Sequence, residues 1–287
     1  FDYVIVDEAA KATFPELAVS LNKAHKIILV GDHQQLPPVL DTEIIKNNRE
    51  KLDEESLAQG IFEKMYNMFP DDNKHRLTIQ YRMHPTIGTL ISHVFYNDEI
   101  QNGVEAQDRK LCIEGYEDTA IEWISTSKYS SKERYEKEFD NNGKKSYQNY
   151  LERNIIEKKL LELDSKLTQK TKVAVITGYG SQKYILQTMV KQHSYKNLEI
   201  DVDTVDAFQG SQKDIILYST VRSSANKYGI GFLKSEARIN VAFSRARCLL
   251  IIVGDMNFLD NYRIRGNKFP EIIKYIKESE GCRIIEE

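Results

Sequence analysis

The chain has 287 residues, 41% of them hydrophobic and 29% charged, with a formal net charge of −3. That length exceeds one compact core and suits one and a half to two domains of an ordinary soluble globular protein. The charge excludes a strongly basic, non-specific nucleic-acid binder and leaves open one that grips a strand in a locally positive groove. The longest apolar runs, such as Cys248–Val253, are far too short to span a bilayer. The start, FDYVIVDEAA, lacks the basic and apolar segments of a secretion signal. The three cysteines, Cys112, Cys248 and Cys282, are far apart and in no metal-ligand spacing. They predict a reducing, cytoplasmic protein without disulfides or a zinc site, with Cys248 a buried small hydrophobe.

Along the chain, short β-branched runs alternate with helical patterns. Strands are predicted at Tyr3–Val6, Lys26–Val30, Ile121–Ile124, Val173–Thr177, Asp214–Val221 and Leu249–Val253. Nearly continuous apolar character predicts burial on both faces of a parallel sheet. Helices are predicted near 56–68, 86–95, 147–167, 181–193, 235–246 and 269–278. The third of these carries Leu151, Ile155, Leu160, Leu163 and Leu167 at helical spacing. Such alternation predicts an α/β fold. A domain boundary falls in FPDDNKHRL, giving domains at 1–76 and 77–287. The span 125–149 is polar, and 128–145 densely charged, which predicts a mobile surface excursion.

Two motifs stand at strand ends in the first domain. In VIVDEAA, residues 4–10, Asp7 and Glu8 fall at the carboxyl end of a strand, where open α/β sheets bind ligands. Asp7 there can hold Mg²⁺ through its water shell, and Glu8 can polarise an attacking water. The alternative is that Asp7 only caps the next helix. In GDHQQLPP, residues 31–38, two prolines prevent a helix from following at once. Gln35 can hydrogen-bond a γ-phosphate oxygen or the attacking water, or can be a solvated turn residue.

The second domain supplies cations and a glycine turn. QYRMHP at 80–85 contains Tyr81 and Arg82, and NVAFSRAR at 240–247 contains Arg245 and Arg247. An arginine fork suits phosphate oxygens, although a surface ion pair is the ordinary fate of any single arginine. VDAFQGSQKD at 205–214 precedes a strand. Its Gly210 permits close backbone approach, and Gln209 and Gln212 offer neutral hydrogen bonding to ribose, phosphate or a neighbouring motif. GYGSQK at 178–183 imitates a dinucleotide fingerprint, but Lys183 stands where the third glycine belongs. Gly143-Lys144 is no phosphate loop, because Glu138 and Lys145 occupy its other fixed positions.

The motif set, in this order, resembles that of superfamily 1 helicases of the 5′-to-3′ branch, which includes the nonsense-mediated-decay helicase and senataxin-like enzymes. VDEAA at 6–10, GDHQQLPP at 31–38, QYRMHP at 80–85, VDAFQGSQKD at 205–214 and INVAFSRAR at 239–247 carry the resemblance. SYQNYLE at 146–152 and ITGYGSQ at 176–182 resemble two weaker family segments. The resemblance implies a RecA-like P-loop NTPase fold: the tail of a first RecA-like domain and a complete second one with a mostly parallel sheet. It implies ATP and Mg²⁺ as cofactors and single-stranded DNA or RNA as partner. Asp7 would bind Mg²⁺, Glu8 would activate water and Gln35 would sense the γ-phosphate. Arg82 and Arg245 would reach that phosphate from the second domain, and Tyr81 would lie by the nucleotide. Gln209, Gly210 and Gln212 would link the nucleotide to the strand groove. Ser219, Thr220 and Arg222 match a segment placed near the strand.

Lys11, Gln212 and Gly178 depart from the family pattern, where a small residue or Gln, Glu and Pro are common. No phosphate-binding glycine loop occurs in the chain, so the segment alone is expected to hydrolyse ATP poorly, with activity in a longer parent. The competing expectation is a non-catalytic nucleic-acid-binding or regulatory module with a helicase-like fold. An unrelated dehydrogenase fails on the incomplete glycine fingerprint.

Overall fold

The computed structural model describes residues 1–38, 60–141, 144–208, 210–224 and 229–286. The chain divides into two compact units, Phe1–Leu77 and Thr78–Glu287. In the first unit, β1 (Tyr3–Val6) pairs in parallel with β2 (Lys26–Leu29). Helix α1 (Phe14–Leu21) lies between them in sequence, and α2 (Ile61–Met68) comes later in the chain. A capping box opens α1: the Thr13 N–H and hydroxyl both donate to Glu16 Oε2, and Pro15 occupies its first turn. Ala9, Ala10, Leu17 and Phe62 form the unit's buried cluster. Ile5 and Ile28 are exposed, against the expectation of strands buried on both faces. The reason is cover: two strands with two short helices leave part of the apolar sheet surface open among the described residues. The predicted helix start at 56–59 lies outside the described residues.

The second unit is built on six parallel strands in the order β12-β5-β11-β10-β8-β9. These are β5 (Ile121–Ser125), β8 (Thr171–Thr177), β9 (Leu198–Thr204), β10 (Lys213–Ser219), β11 (Ala246–Gly254) and β12 (Cys282–Glu286). Central β11 has eight of nine residues buried, as the continuous apolar run CLLIIV requires. Helix α5 (Tyr150–Lys166) buries Ile155, Ile156, Leu160 and Leu163. They join Val173, Val175, Ile215, Leu217, Leu249 and Ile251 in the main core. Helices α6 (Gly180–Val190), α7 (Glu236–Phe243), α8 (Met256–Asn261) and α9 (Phe269–Glu278) complete the layers. Buried Trp123 meets Phe269 edge-on at 5.9 Å and donates its indole N–H to Gly254 O at 3.1 Å.

Regular elements run through the span 125–149. A short helix α4 (Ser131–Arg134) leads into an antiparallel hairpin of β6 (Lys137–Asn141) and β7 (Lys144–Gln148). Tyr147, Gln148 and Asn149 are buried, and Arg134 pairs with buried Asp255 at 2.9 Å. The dense charge of the segment belongs to the hairpin's outer side, and a few inward residues anchor it.

A smaller parallel pair, β3 (Ile79–Gln80) and β4 (Gln101–Asn102), flanks α3 (Pro85–Phe95). Gln80 Nε2 donates to Asn102 Oδ1 at 2.7 Å. A Cβ on Gly88, inside α3, would lie 2.1 Å from Asn102 Oδ1 and 2.7 Å from Gln80 Nε2. Alanine favours an exposed helix interior over glycine by about 1 kcal/mol. Here close packing reverses that sign: Gly88→Ala is expected to lower the thermal unfolding midpoint, by overpacking of about 1–3 kcal/mol. A raised midpoint in a thermal melt would contradict the close approach.

Candidate functional site

In the first unit, Asp7 and Glu8 leave the carboxyl end of β1. Asp7 Oδ1 accepts the Glu8 N–H at 2.9 Å, and Glu8 turns into the left-handed region at φ 55°. That conformation is uncommon for a residue with a side chain and is held by bonds on both sides. Val30 N donates to Val6 O and Ala9 N to Val30 O, each at 2.8 Å. Both acids are exposed. Among the described residues the Glu8 carboxylate makes no hydrogen bond or ion pair.

GDHQQLPP packs directly on this turn. A Cβ at Gly31 would stand 2.7 Å from Ala10 N and 3.2 Å from both Ala10 Cβ and Phe62 Cε2, so only glycine lets the two segments meet. Asp32 organises the rest: Oδ1 accepts the Gln34 N–H at 3.0 Å and Oδ2 accepts Gln35 Nε2 at 2.7 Å. Gln35 is therefore an oriented, half-buried amide rather than a solvated turn residue. The structure brings Asp7, Glu8 and Gln35 to one end of the β1–β2 pair.

The donors suit a magnesium ion. Asp7 and Glu8 are exposed hard oxygen ligands, and Mg²⁺ keeps most of its water and needs one or two carboxylates. No group of three His, Cys, Asp or Glu side chains among the described residues forms an all-protein metal cage.

In the second unit, two distant motifs meet at Ser244. Arg82 Nη1 reaches Ser244 O at 3.4 Å across 162 residues of sequence. Arg245 Nη2 donates to Ser244 Oγ at 3.4 Å, its Nε to Val241 O at 3.1 Å and its Nη1 to Ser211 O at 3.3 Å. His84 N donates to Arg247 O at 2.7 Å, which locks QYRMHP to the segment after α7. His84 Nδ1 accepts Thr86 N at 3.2 Å, capping α3. Burial, and then the charge of Lys110, push the His84 pKa down, consistent with a neutral cap. Arg247 is instead paired with Asp214 at 2.9 Å.

Tyr81 is 62% exposed, its ring against Gly103, where a Cβ would approach to 2.4 Å. Gly210 takes φ +82° with open space around it, and Gln212 is exposed beside it. Gln209 lies outside the described residues. VDAFQGSQKD and INVAFSRAR join through Ser211 O on Arg245 and through Lys213 N, which donates to Arg245 O at 3.1 Å.

Ser219, Thr220 and Arg222, the residues of the segment that the resemblance places near the strand, are all completely buried. Glu152, on α5, accepts Ser219 Oγ at 2.6 Å and Thr220 Oγ1 at 3.1 Å, and both its oxygens accept Val221 N at 2.9 Å. Val221 is left-handed at φ 69°, an outlier for a β-branched residue. Arg222 Nε pairs with Glu136 at 3.1 Å and its guanidinium stacks 4.0 Å over the Tyr147 ring. Gln182 Nε2 bonds both Ser219 Oγ and Asn149 O at 3.1 Å, and Asn149 Nδ2 reaches Val221 O at 3.0 Å. The weaker segments SYQNYLE and ITGYGSQ thus meet the 219–222 segment in one buried cluster. Their Asn149, Glu152 and Gln182 were the signal for it. Asp32 and Gln80 sit inside quoted motifs without a role read for them, and Arg109 lies outside every motif.

An AAA domain family model matches residues 57–257, and a second AAA domain model matches residues 1–43. The chain is 34% identical over 290 residues to Regulator of nonsense transcripts 1 of Caenorhabditis elegans, covering 96% of this chain and 25% of that protein. It is 32% identical over 285 residues to the DNA polymerase alpha-associated DNA helicase A of Saccharomyces cerevisiae, covering 94% and 40%. The solved PRRSV helicase shares 18% identity at a TM-score of 0.41, covering 88% of this chain and 34% of that one. The chain spans about a quarter of the length of the regulators of nonsense transcripts that it matches. No helix among the described residues is long and apolar enough to cross a membrane.

Burial pushes the Glu152 pKa up to about 8, against the lowering effect of its hydrogen bonds from Ser219, Val221 and Thr220; the charge of Glu136 adds to the rise. The folded chain therefore keeps a proton that the unfolded chain has released above the ordinary value of 4.5. Stability falls as pH rises through that window. The unfolding midpoint is expected to drop between about pH 5 and pH 8, and Glu152→Gln to flatten the drop. An equally steep drop in the variant would contradict it.

Proposed function

The chain belongs to the AAA-domain family of superfamily 1 helicases, and from that premise we propose that it is the rear part of an ATP-dependent helicase or translocase acting on single-stranded nucleic acid. The observation that carries this reading is the convergence of Arg82 and Arg245 on Ser244. Two guanidiniums drawn to one point from motifs far apart in sequence suit a group whose charge is spread over several oxygens. The first unit is the tail of one RecA-like domain and the second unit a further RecA-like domain. No phosphate-binding glycine loop occurs in these 287 residues.

Each residue then has a role. Asp7, with Glu8 beside it, would hold Mg²⁺, which when bound would supply charge neutralisation to the phosphates. Glu8, exposed and without a competing donor among the described residues, accepts the proton of the attacking water. Gln35, its amide fixed by Asp32, orients that water or the γ-phosphate. Arg82 and Arg245 stabilise the charge that builds on the transferred phosphoryl group. Tyr81 offers an exposed ring to the nucleotide. Gln209, Gly210 and Gln212 are the residues proposed to link the nucleotide to the strand groove. The inward-facing Ser219, Thr220 and Arg222 shape the backbone of their loop rather than touching a strand with their side chains. The names of the relatives mention transcripts in one case and DNA in the other. We leave the track to the assay.

ATP hydrolysis by the full-length protein is expected to be stimulated by single-stranded DNA, single-stranded RNA or both. Glu8→Gln is expected to lower kcat by about 10²–10⁴-fold while ATP and strand binding persist. Strand binding with no hydrolysis under any condition would replace this reading with the non-catalytic module.

A further inference from the structure

Arg82 stands in the turn between β3 and α3, and its backbone is held from both sides. Gln80 Oε1 accepts the N–H groups of Arg82 and Met83, each at 2.8 Å. Arg109 holds the opposite pole of the same peptides: Nε donates to Arg82 O at 2.7 Å and Nη2 to Tyr81 O at 2.5 Å. A planar guanidinium can serve two successive carbonyls at once, which a lysine ammonium cannot do in the same geometry. Arg109 is itself fixed. It closes a turn of 3-10 helix, Ala106–Arg109, opened by Glu105, whose N–H donates to Asp108 Oδ2 at 3.3 Å. Its Nη1 donates to Asp108 O at 2.9 Å.

With its N–H and carbonyl both fixed, Arg82 has a set Cα–Cβ direction toward Ser244. Its side chain has only its own rotamers left to choose. Such preorganisation lowers the cost of bringing a charged group to a transition state. Arg109 lies outside every motif discussed above, and its 28-residue separation from Tyr81 hides the contact from sequence reading. We propose that Arg109 is a positioning residue that aims Arg82 at the transferred phosphate by clamping the carbonyls of Tyr81 and Arg82. This rests on the reading in which Arg82 acts on that phosphate.

The test is a double-mutant cycle in the full-length protein, with strand-stimulated ATP hydrolysis, strand affinity and thermal unfolding measured for each variant. Arg109→Ala is expected to lower kcat by about tenfold to hundredfold, with KM for ATP and strand affinity within about twofold. Because Arg109 acts only through Arg82, Arg82→Ala and the double variant are expected to hydrolyse ATP at the same rate. Arg109→Lys, able to keep one of the two carbonyl bonds, is expected to fall between wild type and Arg109→Ala. The proposal is overturned if Arg109→Ala leaves kcat unchanged while Arg82→Ala reduces it. It is also overturned if the two losses multiply, or if KM and strand affinity worsen in proportion to kcat. An unchanged kcat in Arg82→Ala overturns the reading of Arg82 itself and this proposal with it.

Discussion

Strand β10 lies between β8 and β11, and its side chains from Ile215 to Ser219 are all buried. A parallel strand in that place has no wet face, so polar chemistry can stand only at its two ends. At the amino end, Ser211 O holds Arg245 and Lys213 N meets Arg245 O. At the carboxyl end, Ser219 enters the buried cluster around Glu152. Seven residues at about 3.3 Å each put roughly 20 Å of stiff, hydrogen-bonded backbone between the two. A displacement of one end is carried to the other because the sheet around β10 is close-packed.

The carboxyl-end cluster shows which effects prevail. Burying Glu152 costs several kcal/mol if it remains charged. Its bonds from two hydroxyls and a backbone N–H offset part of that cost, and desolvation still outweighs them in its raised pKa. In exchange the chain holds Val221 in a conformation that costs about 1–3 kcal/mol. Glu136 holds the next stretch, accepting the N–H groups of Ser223 at 2.9 Å and Ser224 at 3.1 Å. Asp255 adds bonds from Ser127 Oγ at 2.8 Å and Ser223 Oγ at 2.6 Å. Three acidic side chains from three parts of the chain thus define one loop.

Much of this was legible in sequence where a residue's role depends on near neighbours. The helix at 269–278 and the run Leu249–Val253 declare themselves through period and β-branching. Edge strands did not: β9 reads Leu-Glu-Ile-Asp-Val-Asp-Thr, and its acids disguise a strand that buries only Leu198 and Val202. Helix α1 carried a Thr13–Glu16 capping box that the apolar pattern alone passed over. Motif strings located Arg82 and Arg245, but not what aims them. The contacts of Gln80 and Arg109 depend on tertiary return of the chain, which no local pattern encodes. The same gap hides the contacts of Ser219, Thr220 and Arg222, whose partners Glu152 and Glu136 lie far away in sequence.

The most direct measurement of the central claim is the affinity of the full-length protein for ADP with aluminium fluoride, a mimic of the transferring phosphoryl group, compared with its affinity for ATP. Wild type and a variant lacking both guanidiniums, Arg82→Ala with Arg245→Ala, would be compared in the presence of single-stranded nucleic acid. If the two arginines act on the phosphoryl group as its charge spreads, the variant loses the tight binding of the mimic and keeps most of its affinity for ATP. Equal losses for both ligands, or no loss for either, would contradict the account.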